Sequence, residues 1–444
     1  MKKYILIILC CLTSFPLWSY NVNMIVEHYS VDQGLPNNTV NCTLKDRDGF
    51  IWFGTWYGLC CFDGVKFKTF NKQEHDSDVP PRKIQRIVED KNGYIWVKTI
   101  DRKLYVFNKV TECFHAVYDD MKNYSENIQV IKLQNTAEGD VLLLTKDKNL
   151  LLAGVDEKGQ VTIKILFDSR DEINKHDYTL KHHVLCETEE YISWIGTDYK
   201  VSAVHKGAEL ASRPADFITS KINSGDKDSF TSFFEDGRKV WVGDRAGIFY
   251  SIDVRTGLVN RYVLSEIKGA ISNLLVTPAG YVYLSVAGQG TYEYDLAERR
   301  LQKINTEMND AMVTHAFIDQ YDKIWFHENE KALIYYDPLN HTAKRFPFTM
   351  FGKITTLYSE DAGERGLFFL SPAGEAWLFD REHAEMVYIN KLKQLSNDRA
   401  NQQFYHLMLD NDGVLWLSSA DEGVYCMNFP KKQFNLLSLS PQSA

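Results

Sequence analysis

The sequence predicts an all-β chain folded as a propeller of four-stranded antiparallel blades, and three observations carry that expectation. A tryptophan-bearing segment recurs at an even spacing along nearly the whole chain. Each clear recurrence follows a turn rich in Asp and Gly. No segment keeps a helical period for more than about two turns.

The recurrence is plainest in Lys45-Asp-Arg-Asp-Gly-Phe-Ile-Trp-Phe-Gly-Thr55, Glu89-Asp-Lys-Asn-Gly-Tyr-Ile-Trp-Val-Lys-Thr99 and Leu409-Asp-Asn-Asp-Gly-Val-Leu-Trp-Leu-Ser-Ser419. Weaker copies carry Trp194, Trp241 and Trp325, and three degenerate ones place Leu142, Tyr283 and Phe368 at the tryptophan position. Positions 52, 96, 142, 194, 241, 283, 325, 368 and 416 lie 42 to 52 residues apart. That period suits one blade of four strands.

Each part of the unit has a physical task. An alternating apolar segment such as Val40, Cys42 and Leu44 reads as the strand nearest the central channel. In the Asp-x-x-Gly turn, Asp caps through its side chain and Gly accepts positive φ. The aromatic strand follows, its tryptophan wide enough to fill the gap between two twisted sheets. A second turn ends at Gly58, Gly247, Gly290 and Gly423, and a third strand starts at Leu59, Ile248, Tyr292 or Val424. Pairs such as Phe62-Asp63 and Tyr336-Asp337 close that strand, and Val65 to Phe70 supplies the fourth in the first copy.

Nine copies exceed the four to eight blades of most propellers. The favoured arrangement is a seven-bladed ring over residues 24–345, with residues 346–434 as two further blades beginning a second, incomplete propeller and 435–444 as a tail. The alternative is one larger ring of eight or nine blades. In either case Met24 to Tyr29 is expected to return as the outer strand of the last blade, removing an exposed edge.

The N-terminus reads as a cleaved secretory signal over residues 1–19. Lys2 and Lys3 precede nine apolar residues, Tyr4 to Leu12, far fewer than the ~20 that a membrane-spanning helix needs. Six cysteines follow: Cys42, Cys60, Cys61, Cys113, Cys186 and Cys426. They lack the spacing of a zinc site. An oxidising compartment permits a bridge from Cys42 to Cys60 or Cys61, but small buried thiols in a sheet are the favoured reading. With 59 acidic against 50 basic side chains and a net charge of −9, the chain is a poor match for nucleic acid or an anionic membrane.

Other motifs weaken on inspection. Asp46-Arg-Asp-Gly49 and Asp410-Asn-Asp-Gly413 look like the first half of a calcium loop, yet neither has the Glu at position twelve. His182 and His183 are neighbours on a strand and point to opposite faces. Gly288-Gln-Gly290 precedes no helix. No catalytic constellation and no cofactor site is legible.

In an up-and-down blade, the turns between the second and third strands share a face with the connections between blades. That face collects the candidate ligand-binding residues Trp56, Tyr57, Arg102, Asp198, Tyr199, Arg245, Gln289, Glu328, Asn329 and Glu422. Aromatic faces beside carboxylates and amides suit a sugar ring, which needs an apolar platform and partners for its hydroxyls. Trp56-Tyr57 is the most suggestive pair, since a turn gains nothing structural from two large aromatics in succession.

The segment Val40 to Leu59 resembles the two-component-regulator propeller repeat, found in the periplasmic sensor part of hybrid two-component systems. Tyr29-Ser-Val-Asp-Gln-Gly-Leu-Pro-Asn-Asn-Thr-Val40 and Gly423-Val-Tyr-Cys-Met-Asn-Phe-Pro-Lys-Lys-Gln-Phe434 resemble the start and end of such repeats. The resemblance implies a periplasmic, non-enzymatic sensor that binds glycan-derived oligosaccharides and controls polysaccharide-utilisation genes. It also implies kinase, receiver and DNA-binding parts, and a membrane segment, that this sequence lacks. A second propeller or a second copy of the chain is a further expected partner. A propeller-fold polysaccharide lyase or glycoside hydrolase, or a protein-interaction platform, are the competing readings.

Overall fold

The computed structural model describes residues 25–428, except 71–79, 123–128, 148, 168–179, 189, 197–199, 208–216, 222–229, 305–312, 329–330, 352–357, 362–365, 372–374 and 392–403. Residues 1–19, the expected signal segment, lie outside the described residues. The described residues form nine four-stranded antiparallel sheets. Each recurring aromatic or apolar position, 52 through 416, falls on the second strand of its own sheet, at Ile51–Thr55, Ile95–Thr99 and so on to Val414–Ser419. Among the described residues no helix is long and apolar enough to cross a membrane.

The repeat signature folds the same way wherever it is complete. Asp46 Oδ1 accepts the amides of Asp48 and Phe50 at 3.0 and 2.9 Å, closing the turn. Its Oδ2 accepts the indole N–H of Trp52. The same indole bond joins Trp96 to Asp90, Trp241 to Asp236, Trp325 to Asp319 and Trp416 to Asp410. One carboxylate thus fixes both the turn and the rotamer of the ring that fills the gap to the next sheet.

The first strand of each sheet is the innermost. First strands of successive sheets touch directly, as Val40–Lys45 does with Ile84–Glu89, and Ile271–Val276 with Val313–Ile318. Most carry a β-bulge after their first residue, for example between Val40 and Cys42, Ile84 and Arg86, and Val313 and His315. The bulge re-aims side chains where nine strands crowd toward one axis.

The last sheet closes on the first strand of the chain. Ile25–Tyr29 pairs antiparallel with Val424–Asn428, from Ile25 opposite Asn428 to Tyr29 opposite Val424. This is the closure expected from the sequence. The expected break near residue 345 is absent. Trp325 of the seventh sheet meets Phe379 of the eighth at 4.6 Å, edge on, within a cluster that also holds Phe346 and Phe369. Trp416 of the ninth sheet packs on Phe53 of the first at 5.9 Å, in a cluster with Val40 and Cys426. A separate apolar cluster fills each of the nine junctions between successive sheets. These contacts are those of the larger-ring alternative, with residues 346–428 continuing the same ring. The physical reason is that Phe369 and Phe379 of the eighth sheet supply the apolar surface that a seventh blade would otherwise have to find on the first.

Candidate functional site

Backbone bonds lace the second turn of each of the first two blades to the connection that precedes the blade and to the one that follows it. Trp56 N donates to Thr39 O, Lys83 N to Trp56 O, Ile100 N to Lys83 O, and Val130 N to Arg102 O, all within 3.2 Å. The two kinds of loop therefore share a face, as the alternation of strand direction requires. On this face Trp56 and Tyr57 are 41% and 63% exposed, and Ile100 and Tyr118 are also exposed. The Lys83 ammonium lies 5.3 Å from the centre of the Trp56 ring, a cation–π contact that holds the indole in place.

Next to this group opens a cavity of about 420 Å³, lined by Asp101, Arg102, Lys103, Tyr105, Tyr118 and Gln129 among others. Its wall is the hairpin turn Thr99–Lys103, in which Thr99 N donates to Lys103 O and Lys103 N to Thr99 Oγ1. Arg102 sits in the left-handed region at φ 67°, a conformation that costs a non-glycine residue about 1 kcal/mol. Thr99 donates to Asp101, whose carboxyl is held below its ordinary range against the opposing effect of burial by that bond and by Lys103. The turn presents a carboxylate, a guanidinium and an ammonium at one rim, beside an aromatic platform.

The other candidates from the sequence are dispersed. Arg245 is exposed in its turn. Gln289 is engaged, accepting Lys268 N and donating to Glu266 O. Glu328 is only 4% exposed and takes Arg345 through Nε and Nη2 at 3.1 and 2.9 Å, so its carboxylate serves the seventh sheet internally. Glu422 accepts the Tyr425 hydroxyl at 2.5 Å, and its carbonyl meets His28 of the closing strand. Asp198, Tyr199 and Asn329 lie outside the described residues. Of the ten, Trp56, Tyr57 and Arg102 lie on neighbouring turns of this face, linked through the backbone of Lys83 and Ile100; Arg102 lines the cavity, and Trp56 and Tyr57 are not among its lining residues. The structure adds Ile100 from the Thr99–Lys103 turn, and Lys83, Tyr118 and Gln129, which come from connections whose lengths hide them from the repeat pattern.

A second cavity, about 350 Å³, opens on the opposite face between the sixth and seventh sheets. Here the repeat lacks both its Asp and its Trp, with Thr277 and Tyr283 in their places. Glu293, 5% exposed, supplies the missing carboxylate from the neighbouring strand and accepts the hydroxyls of Tyr283 and Tyr336 at 2.9 and 3.3 Å. Both phenols are pushed up, by burial first and by Glu293 second.

Asp46, Asp48 and Glu89 bring carboxylate oxygens within reach of one centre. The Lys109 ammonium occupies that centre, at 3.1, 2.7 and 2.8 Å. Cys42, Cys60, Cys61 and Cys426 are buried free thiols and Cys113 is a half-buried one, which rules out the bridge from Cys42 to Cys60 or Cys61. Cys186 lies among side chains outside the described set.

Residues 34–57 match the two component regulator propeller family. No curated protein is significantly similar to the chain. Among solved structures, the extracellular domain of the hybrid two component system BT4673 of B. thetaiotaomicron is 14% identical over 90% of this chain and 66% of that one, with a TM-score of 0.38. The corresponding domain of BT3049 from the same organism is 14% identical over 93% and 61%, with a TM-score of 0.35. BamB from Moraxella catarrhalis is 12% identical over 93% and 100%, with a TM-score of 0.41. The chain spans less than two thirds of the length of the two extracellular domains.

Proposed function

We propose that this chain is the ligand-binding propeller of an extracytoplasmic sensor, and that its turn face on the first two blades takes a glycan-derived oligosaccharide. The observation that carries the reading is the pairing of exposed Trp56 and Tyr57 with the adjoining 420 Å³ cavity rimmed by Asp101, Arg102 and Lys103. A pyranose stacks its C–H face on an aromatic ring while its hydroxyls exchange hydrogen bonds with charged side chains. The regulator-type repeat at residues 34–57 agrees with a binding role coupled to a signalling partner. Under this reading the chain works in the periplasm, reports occupancy to a kinase and DNA-binding module, and controls genes for polysaccharide use.

The test is calorimetry of the purified protein against a panel of defined oligosaccharides, with each mixture then analysed for new reducing or unsaturated ends. Saturable binding without product supports the reading. Product formation replaces it with a glycan-cleaving propeller. Absence of binding to any member of a broad panel overturns it in favour of a protein-interaction platform.

A further inference from the structure

The channel wall has a charge character opposite to that of the chain. The second and third residues of most innermost strands lie at the bulge; Gln85 and Arg86, and Thr314 and His315, are exposed there, whereas Cys42 and Ser232 are buried. Among the bulged innermost strands whose side chains are described, none of these positions holds a carboxylate, although acidic side chains outnumber basic ones 59 to 50 overall. They hold Arg86, Lys132, His315 and His406, while the paired position on the second strand adds Lys98 opposite Arg86 and His327 opposite His315.

Two of these bases, Arg86 and Lys98, have no anionic partner among the described residues. Arg86 makes no hydrogen bond or ion pair among the described residues. Lys98 is 6% exposed, and its ammonium donates only to neutral acceptors among them, Gln85 Oε1 and Ile131 O, each at 2.7 Å. His406 Nδ1 and His327 Nε2 are buried without a hydrogen-bond partner. Burial, with Arg102 and Arg86 beside it, brings Lys98 down to about 8, and burial together with Arg86 brings His406 down to about 4. Cys42 on the intervening first sheet also feels Arg86. The guanidinium therefore acts on His406 of the ninth sheet and on Lys98 of its own, and among the described residues no carboxylate is bonded to Arg86 or Lys98.

We propose that the channel wall around Arg86, Lys98 and His406 is an anion-binding subsite, taking a carboxylate or a sulfate group. It lies toward the end of the channel that opens on the Trp56 face, because Lys98 is followed within one strand residue by the Thr99–Lys103 turn. The inference deepens the function proposed above, since it makes the oligosaccharide an acidic one, carrying a uronate or a sulfate ester. The saccharide part rests on that earlier reading, and the anion part does not.

The experiment titrates the full chain with sodium sulfate and with sodium acetate at constant ionic strength, sodium chloride being the control, and follows binding by calorimetry. Saturable binding of either anion is expected, weakened at least ~10-fold by Arg86→Gln, largely restored in Arg86→Lys, and unchanged in Arg255→Gln, an exposed base away from the channel. Arg86 is exposed, so its replacement should leave the unliganded melting temperature in place, and Lys132→Gln provides a second variant with an intermediate loss. Equal affinity in wild type and Arg86→Gln, or no saturable binding of either anion, overturns the inference. Sulfate stronger than acetate assigns a sulfate ester, and the reverse a uronate. If anion binding depends on Arg86 but no acidic oligosaccharide binds, the channel subsite stands and the saccharide reading fails.

Discussion

Lys109 Nζ lies 3.1 Å from Asp46 Oδ2, and through this contact the second sheet neutralises the carboxylate that positions the tryptophan of the first. The arrangement recurs between the eighth and seventh sheets, where Arg381 reaches Asp319 at 3.7 Å and Asp361 at 2.8 Å. In each case the turn aspartate bonds its own backbone, its own indole and a cation from the next blade. Sheet formation and blade docking are thereby coupled through one side chain.

The first prediction concerns that side chain. Asp46→Ala removes two turn hydrogen bonds and the indole acceptor, and leaves Lys109 with one fewer anion in a half-buried setting. Breaking such a pair from one side costs about 3–5 kcal/mol. A lowered denaturation midpoint is expected in urea, with Asp46→Asn intermediate because it keeps an acceptor for the turn. A midpoint in Asp46→Ala within 0.5 kcal/mol of wild type, on the order of a neutral surface change, would refute the coupling.

Ring closure gives the second. Gly423 has φ 91°, and a Cβ there would stand 2.1 Å from the Tyr29 carbonyl oxygen of the closing strand. Gly423→Ala is therefore both strained in φ and in collision with backbone that cannot yield cheaply. The mutant should lose hydrogen-exchange protection at Ile25–Tyr29 and Val424–Asn428 before it loses protection elsewhere. It should also aggregate more readily, because the freed strand exposes an unpaired edge. Protection that falls evenly through all nine sheets would point to a global effect instead.

The cysteines supply a third. Burial pushes the thiols of Cys42, Cys60, Cys61 and Cys426 up to about 12, so almost no thiolate is present at neutral pH. In the native protein these four should resist alkylation by iodoacetamide at pH 8 and react on unfolding, while Cys113 reacts earlier. Mass spectrometry of partly labelled protein distinguishes the classes, and rapid native labelling of Cys60 would contradict the packing described.

The periodic part of the fold was legible because one residue type solves one geometric problem at every junction: Trp52, Trp96 and Trp416 fill equivalent gaps. Even Leu142 and Phe368 keep the register of the tryptophans they replace. The closing role of Ile25–Tyr29 was legible too, as a strand without a blade of its own. Blade number within the ring was not, since it depends on whether Phe369 and Phe379 face the seventh sheet or a new partner, and both answers have the same repeat. At the candidate site, Trp56 and Tyr57 stood out as aromatics in a turn. Tyr118 and Gln129 did not, lying in the connection after the second blade. The basic wall escaped notice because Arg86, Lys132, His315 and His406 are far apart in sequence, and only the shared bulge aligns them.

The fourth prediction is a pH effect centred on His406, whose folded form resists protonation down to about 4 through burial and the facing Arg86. The unfolded chain takes up that proton near the ordinary histidine value of ~6.5. Between these limits the unfolded state binds more protons, so this group makes stability fall as pH drops from ~6.5 to ~4. The loss is on the order of 2–3 kcal/mol over that window. His327, lowered by burial and by His315, acts in the same direction. Because carboxylates also titrate there, the measurement is a difference: His406→Gln should show a shallower decline in stability from pH 6.5 to 4.5 than wild type. Parallel curves would mean that His406 protonates in the fold as readily as in the unfolded chain.

The last prediction separates binding from folding on the turn face. Trp56 and Tyr57 are 41% and 63% exposed, and surface positions away from special backbone geometry change stability by no more than about 0.5 kcal/mol when replaced. The backbone bonds at Trp56 involve only its N–H and carbonyl, which alanine keeps. Tyr57 N donates to Thr55 Oγ1, again independently of the ring. Each alanine variant should therefore melt within a degree or two of wild type. Loss of a stacked aromatic is worth about 1–3 kcal/mol in comparable ring-on-ring contacts, so oligosaccharide affinity should weaken ~5- to 100-fold. A double variant that retains wild-type affinity would remove this face from the binding site, and one that melts much lower would show that the two rings brace the first blade instead.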